Sequence, residues 1–182
     1  MPEAIYMLEA RRLPCSEWIK DHPRPLEVLY RVTRQLVVRG YPLVRRVSPT
    51  LAERLMVWGE QILKGWVFNC QMCGQCILHS TGMTCPMNCP KKIRNGPCGG
   101  VRHNRHCEVI PEMPCVWVQA WERSQDMWCY ADDMRIVQPP VNHALQHMSA
   151  WANMVEGRDI ETPRGWTLTM QARAPKGGEA DG

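Results

Sequence analysis

The stretch CQMCGQCILHSTGMTCPMNCPKKIRNGPCGG, residues 70–100, holds six of the ten cysteines of this 182-residue chain. Its many glycines and prolines predict loops and single turns instead of regular helices or strands. We expect a metal to replace a hydrophobic core in this segment. With the two cysteines that follow it, the set is Cys70, Cys73, Cys76, Cys85, Cys89, Cys98, Cys107 and Cys115.

The composition is that of a folded protein, with 45% apolar and 22% charged residues. The N-terminal MPEAIYMLEARRLP has neither the basic segment nor the apolar core of a signal peptide, and no run approaches the roughly 18 apolar residues of a membrane span. A cytoplasmic location is therefore expected, where clustered cysteines more often bind metal than form disulfides.

The chain is also shorter than a (β/α)8 barrel of about 250 residues, and it has no phosphate-binding glycine motif. A flavin or nucleotide would thus belong to another chain.

Charge is distributed unevenly around a net value of +4. No acidic residue lies between Glu60 and Glu108, whereas that window holds six lysines and arginines. A basic patch can indicate nucleic acid, but eight thiolates with two zinc ions or two [4Fe–4S] clusters leave negative charge that needs compensation nearby. We prefer the second explanation. The cations are Lys64, Lys91, Lys92, Arg94, Arg102 and Arg105.

Apolar periodicity predicts a mainly α fold around an irregular, cysteine-ligated metal core, with little β structure. A first helix covers residues 25–39 and ends at Gly40; a second begins with Ser48 as N-cap and Pro49 at its first position, and leads directly to Cys70. Further helices are expected from Val116 to Trp128 and from Asn142 to Val155, with one short strand at Trp166–Met170. The predicted segments are an N-terminal helical part (1–68), the iron–sulfur core (69–117), C-terminal helices with an extension (118–174) and a disordered tail (175–182).

The cysteine spacing begins C-x2-C-x2-C, and this triple favours an iron–sulfur cluster. Zinc sites combine separate C-x2-C pairs, and Cys73 cannot serve in two pairs at once. Cys85 and Cys89 each precede a proline, as the last cysteine of ferredoxin motifs does. Eight cysteines suffice for two [4Fe–4S] clusters, with the triple and a later cysteine in one of them. Two structural zinc sites remain the alternative.

Other conspicuous residues have simpler explanations. Cys15 and Cys129 stand outside the cluster and are expected to be buried or idle thiols. His143 and His147 lack the intervening glutamate of a zinc-binding helix and are expected on a solvated face. The eight tryptophans are expected to pack around the cluster, although some could anchor a partner. No catalytic set of Ser, His and Asp or of Cys and His stands out, and with the clustered thiolates committed to metal, none of them is free as a nucleophile.

The segment from Cys70 to Trp117 resembles the methylenetetrahydrofolate reductase C-terminal domain family. The likeness rests on the eight cysteines, on TG at Thr81-Gly82, on CPK at Cys89–Lys91 and on NGPCGG, and PPVNHALQHMSAWANMVEGRD continues it more weakly. One departure is VRHNRHC, where members often have a glycine-containing turn before the equivalent of Cys107.

The resemblance implies a partner, a flavin-containing (β/α)8 reductase that converts 5,10-methylenetetrahydrofolate to 5-methyltetrahydrofolate. This chain would then be an electron-transfer or assembly subunit with eight cysteine ligands, receiving electrons from a donor protein and leaving flavin and folate to its partner. The alternatives are a zinc-stabilised subunit of the same complex without a redox role and, with less support, a zinc module that binds nucleic acid. The absence of paired zinc knuckles and of a basic recognition helix disfavours the last.

Overall fold

A computed structural model describes Ile19 and residues 21–163 of the chain. Within these residues the protein is mainly helical and contains no strand, which confirms the expected helical class. The predicted strand at Trp166–Met170 and the predicted tail at 175–182 lie outside the described residues. The helices are α1 (Pro23–Val47), α2 (Pro49–Phe68), α3 (Val116–Gln125) and α4 (Ala150–Glu156), and short 3₁₀ turns lie at Leu78–Thr81, Pro86–Asn88, Ala131–Arg135 and His143–Leu145.

Helix α1 is longer than its sequence predicted. It continues through Gly40 and Pro42 as far as Val47, so the predicted end at Gly40 was wrong. A tertiary contact accounts for the difference: Tyr41 is buried, and its hydroxyl donates to Glu156 Oε1 at 2.7 Å. Packing against the end of α4 thus offsets the weak helix propensity of glycine and proline.

Helix α2 forms as predicted. Ser48 is its N-cap and accepts a hydrogen bond from Leu51 N at 3.4 Å, while Pro49 occupies the first helical position. The helix ends at Phe68, and the left-handed backbone of its C-cap, Asn69, turns the chain into the cysteine segment. The N-cap therefore sets where the helix begins, and the helix carries the chain to Cys70.

The apolar stripes of α1 and α2 lie largely at the surface. An amphipathic helix usually buries such a stripe, yet Leu36 is 66% exposed and Trp58 is 65% exposed. The two helices instead contact α4 through a small cluster around Tyr41 and Ala52. We call the following residues the exposed stripes: Val28, Leu29, Val32, Leu36, Leu43, Leu51, Leu55, Trp58, Ile62 and Trp66.

The last two predicted helices are shorter than expected. Helix α3 begins at Val116 but ends at Gln125, so Trp128 lies beyond it. The predicted helix over Asn142–Val155 is divided into a 3₁₀ turn and α4, because Ser149 caps α4 and accepts from Ala152 N at 3.1 Å. His143 and His147 are both exposed and do not share a helix.

Two hydrophobic clusters surround the cysteine segment. One is centred on Met83 and includes Cys85, and the other is centred on Trp117 and includes Cys89 and Cys115. The six tryptophans among the described residues divide between core and surface: Trp117 and Trp151 are buried, whereas the other four are largely exposed. The expectation that tryptophans pack around the cluster is thus correct only in part. The exposed ones are Trp58, Trp66, Trp121 and Trp128.

None of the helices among the described residues is both long enough and apolar enough to cross a bilayer.

Candidate metal centres

The eight cysteines of residues 70–115 separate into two groups of four, and each group lines a cavity of its own. The sequence predicted that the C-x2-C-x2-C triple stays together, and the structure places Cys85 beside it. The cavities are narrow, about 20 Å³ for the first and about 10 Å³ for the second. The first cysteine site consists of Cys70, Cys73, Cys76 and Cys85, and the second consists of Cys89, Cys98, Cys107 and Cys115.

The first site forms where the chain leaves α2 and curls through two left-handed residues, Met72 and Gly74. Met72 N donates to Cys70 Sγ at 3.4 Å. A Cβ atom on Gly74 would lie 2.1 Å from the carbonyl oxygen of Leu145. Only glycine therefore allows the loop between the first cysteines to pack against this C-terminal segment.

Gln75 fixes the next part of the same loop. Its side chain is buried; Nε2 donates to the carbonyls of Asp159 at 2.8 Å and Glu161 at 3.0 Å, and Oε1 accepts from Asn142 N at 2.8 Å. The backbone carbonyl of Gln75 accepts from Arg94 Nη2 at 3.0 Å. A single residue thus connects the cysteine triple with distant parts of the chain, a role that the sequence analysis missed.

A local turn builds the second site. His106 and Pro114 form an isolated antiparallel bridge. Cys107 N donates to Met113 O, and Cys115 N donates to Arg105 O, both at 2.9 Å. Arg105 adopts a left-handed conformation, so the turn within VRHNRHC forms without glycine. These contacts bring two of the four cysteines together at the start of α3.

Electrostatics disfavour free thiolates in the first site. Burial, and after it the neighbouring Cys76, raises the pKa of Cys70 to about 12 and also raises the pKa of Cys73. Burial and the other three thiols raise the pKa of Cys85. Four thiolates can coexist here only if positive charge is supplied between or beside them, as a metal ion or cluster does.

Two buried cations line the first site. Burial lowers the pKa of Lys64, but the negative charges of Cys76, Glu60 and Cys70 raise it by more. The pKa of Lys64 is therefore raised overall. Arg94 is buried as well, and burial lowers its pKa against the opposing effect of the thiolates. Lys64 and Arg94 are two of the six cations that the sequence predicted to compensate the thiolates.

Glu60 connects the first site to α4. Its carboxylate accepts from Lys64 Nζ at 3.1 Å, from Ser149 Oγ at 2.5 Å and from the backbone N–H groups of Ala150 and Trp151 at 3.3 and 2.8 Å. These four hydrogen bonds meet the hydrogen-bonding needs of the buried Glu60 carboxylate. The sequence marks Glu60 as the edge of the acid-free window, and the available signal for its role was an acid at that edge on a predicted helix that leads to the cysteines.

The charges of the second site lie in solvent. Lys91 and Glu108 line the cavity and form an ion pair, and both are exposed. The hydrogen bond from Lys91 holds the pKa of Glu108 below its usual range. Cys98 Sγ lies 3.6 Å from Glu108 Oε1. The pair cancels its own charge, so this site has less positive compensation than the first.

Each site also contains a buried N–H group that has no hydrogen-bond partner among the described residues. These groups are Arg94 Nε, from a residue that lines the first site, and Trp117 Nε1, from one that lines the second. N–H donors of this kind bind thiolate or sulfide sulfur and tune iron–sulfur clusters. Among the described residues, no group of three or more His, Cys, Asp or Glu side chains is arranged closely enough to hold a single metal ion. The four thiols of each site and its buried N–H donor are the groups that would hold a cluster there.

Several remaining side chains make contacts that do not involve the cysteines of the two sites. None of the nine cysteines in residues 21–163 forms a disulfide, and Cys129 is exposed with Arg31 Nη1 at 3.1 Å from its sulfur. Cys129 is therefore not buried as one form of the expectation had it, and Cys15 is outside the described residues. Arg105 pairs with Glu122, and Lys92 Nζ donates to the carbonyl of Met87 at 2.7 Å.

Comparison with known proteins gives one match. The model of the family described as Methylene-tetrahydrofolate reductase C terminal matches residues 50–144, which is just over half of the chain and contains both cysteine sites. No curated protein matches the chain, and no solved structure does. On the strength of the matched segment, the chain belongs to the methylene-tetrahydrofolate reductase C-terminal family.

Proposed function

We propose that this chain is the iron–sulfur subunit of a methylenetetrahydrofolate reductase complex and relays electrons between a donor protein and the flavin of a separate catalytic chain. The observation that carries this proposal is the separation of eight cysteines into two cavities with four cysteines in each. Four thiolates are the ligand set of a [4Fe–4S] cluster. The C-x2-C-x2-C triple within the first set favours a cubane over a zinc tetrahedron.

The residues of the chain would hold and tune these clusters. When bound, the clusters supply one-electron chemistry. Lys64 and Arg94 offset the negative charge of the first site from buried positions, and the hydrophobic clusters around Met83 and Trp117 keep water from the sulfurs. The packing of these hydrophobic clusters would also hold the thiols of each site in the same positions when the cluster changes between its oxidised and reduced states.

The exposed stripes support the proposal of a catalytic partner. Large apolar patches at the surface of a protein commonly mark an interaction site. Helix α1 adds exposed arginines to its stripe, among them Arg34, Arg39 and Arg46, and its one acid, Glu27, is buried. Glu27 accepts from the backbone N–H groups of residues 128–130, so it offers no charge to the surface. The flavin-containing chain should therefore present an apolar surface with acidic residues at its rim.

Metal analysis of the full chain, purified without oxygen, tests the first part of the proposal. We expect about eight iron and about eight acid-labile sulfide per chain, as two [4Fe–4S] clusters require. A broad visible absorption that dithionite bleaches should accompany them. Stoichiometric zinc without sulfide would contradict the electron relay and would favour a structural subunit.

Co-purification with a flavin-containing methylenetetrahydrofolate reductase chain tests the second part. Trp58→Asp places a charge within an exposed stripe and should weaken the complex about tenfold or more, because a central tryptophan often dominates an interface. Trp128→Asp is the matched control, since Trp128 is equally exposed but lies outside the stripes. Equal losses in both variants, or in neither, would contradict docking on the exposed stripes.

A further inference from the structure

An unassigned cavity of about 290 Å³ shares a wall with the first cysteine site. Cys76 and Ala150 line both the site and this second space, which we call the aromatic cavity. It is much larger than the gap between the cysteines. A ligand in the aromatic cavity would therefore lie against one of the proposed cluster ligands.

Four aromatic rings form much of the wall. Tyr30 stacks on His79 with ring centroids 5.5 Å apart, and its centroid lies 5.0 Å from that of Trp151. Tyr130 stands edge-on to Tyr30 at 6.1 Å and is tilted by 70° from His79 at 5.3 Å. Rings at such different angles present both faces and edges to the cavity, which suits a flat aromatic guest.

The polar groups of the cavity carry both signs of charge. Arg34, Asp133 and Asp159 line it, and His79 Nε2 lies 4.0 Å from Asp133 Oδ2. His79 Nδ1 is 3.2 Å from the Tyr30 hydroxyl, and burial lowers the pKa of the imidazole. Arg34 can donate hydrogen bonds, and Asp133 and Asp159 can accept them. Such a mixture of donors and acceptors between aromatic walls matches the edge of an uncharged ring with several hydrogen-bonding atoms, rather than a strongly charged ligand.

We propose that the aromatic cavity binds an uncharged, planar heteroaromatic ring with donors and acceptors on its edge, and that it holds this ring against Cys76. Flavins, pterins and purines share this chemistry. The binding itself follows from the cavity alone. Its use for electron exchange with the first cluster rests on the proposed function.

Riboflavin is the first probe, with 6-methylpterin and guanosine as the second and third. Each is equilibrated by dialysis with the full chain purified without oxygen, and we expect saturable binding of one molecule per chain for at least one probe. Comparison of the three probes identifies which kind of ring is preferred. Failure of all three to bind saturably would overturn the proposal.

Variants locate the bound ring. Met154→Trp places a larger side chain in the cavity wall and should abolish binding of the bound probe. Tyr130→Leu removes one aromatic wall and should weaken binding about tenfold, the upper range for an aromatic contact. Trp66→Leu is the control, because Trp66 is exposed on α2 and outside the cavity. Binding that survives Met154→Trp, or that Trp66→Leu weakens as much as Tyr130→Leu does, would place the ring elsewhere and overturn the proposal.

The same preparations separate this proposal from the electron relay. Iron and sulfide are measured on each sample before dialysis. A protein with zinc alone that still binds the ring supports the cavity and contradicts the relay, whereas a protein with both clusters that binds no ring contradicts the cavity alone. Unchanged iron content and melting temperature in Met154→Trp and Tyr130→Leu confirm that the variants are folded.

Discussion

The two cysteine sites have the same number of thiols but differ in where their compensating charge lies. At the first site Lys64 and Arg94 are buried together with Glu60, which leaves one uncancelled positive charge. At the second, Lys91 and Glu108 pair in solvent and cancel. Buried charge is screened far less than exposed charge. The first site should therefore hold an additional electron more easily than the second.

The sites also differ in what keeps them together. Gly74 and Gln75 tie the first site to residues between Asn142 and Glu161, far along the chain. The second depends on a local turn between His106 and Pro114. Damage to the first site should thus affect the whole fold, whereas damage to the second should remain local.

Removal of one ligand from each site gives the largest expected effect. Cys73→Ser should remove the cluster of the first site and Cys107→Ser that of the second, so that each variant loses about half of the iron, because a [4Fe–4S] cluster needs its full thiolate set. Iron and sulfide analysis measures the loss. Cys73→Ser should also lower the unfolding temperature more than Cys107→Ser does.

Cys129→Ser is the matched control and should keep all of its iron, because Cys129 lies outside both sites. Complete loss of iron in both single variants would mean that the cysteines do not act as two independent groups of four.

Substitution of one glycine near each site should give a second, smaller difference, in this case in the free energy of unfolding. Gly74 and Gly96 both have positive φ, so alanine at either position costs about 1 kcal/mol of backbone strain. A Cβ on Gly74 would also strike the Leu145 carbonyl, whereas one on Gly96 would meet nothing within 4 Å. Gly74→Ala should therefore lower the free energy of unfolding by about 1–3 kcal/mol more than Gly96→Ala does. Chemical denaturation of the metal-loaded protein measures both, and equal losses would show that the contact with Leu145 is not tight.

Removal of one cation from each site gives the smallest effect. Arg94→Gln should lower the reduction potential of the first cluster by on the order of 60 mV, equivalent to about a tenfold change in a one-electron equilibrium. The sign follows because loss of a nearby positive charge destabilises the reduced, more negative cluster. Lys91→Gln should shift the second cluster much less, since Lys91 is exposed and screened. Redox titration followed by electron paramagnetic resonance measures both shifts, and a larger shift in Lys91→Gln would mean that the exposed charge acts more strongly than the buried one.

Local signals were sufficient for some elements of the fold and misleading for others. Ser48 and Pro49 mark the start of α2, because capping depends on a few adjacent residues. Gly40 suggested an end to α1 that does not occur, because the contact of Tyr41 with Glu156 depends on a residue more than a hundred positions away. The apolar pattern of Asn142–Val155 predicted one continuous helix, but the segment is divided in two. Local capping causes the division, since Asn142 caps a 3₁₀ turn and Ser149 caps α4.

The candidate sites show the same division. Spacing singled out all eight cysteines that line the two cavities and three of the basic residues beside them, Lys64, Lys91 and Arg94, because these residues are concentrated in one segment. Spacing did not reveal that Cys85 lies with the first group and Cys89 with the second, although only three residues separate them. The 3₁₀ turn at Pro86–Asn88 lies between the two and passes the chain from one site to the other.

The sequence by itself determined the family, the helical class and the set of thiols, since each depends on residue type and on spacing along the chain. Only the tertiary structure decided how the thiols are shared, which charges are buried and where the aromatic cavity lies. Those properties come from contacts such as Glu60 with Ser149 and Gln75 with Asp159, which join distant residues. Burial and electrostatic compensation depend on neighbours in space, and a linear pattern does not specify these neighbours.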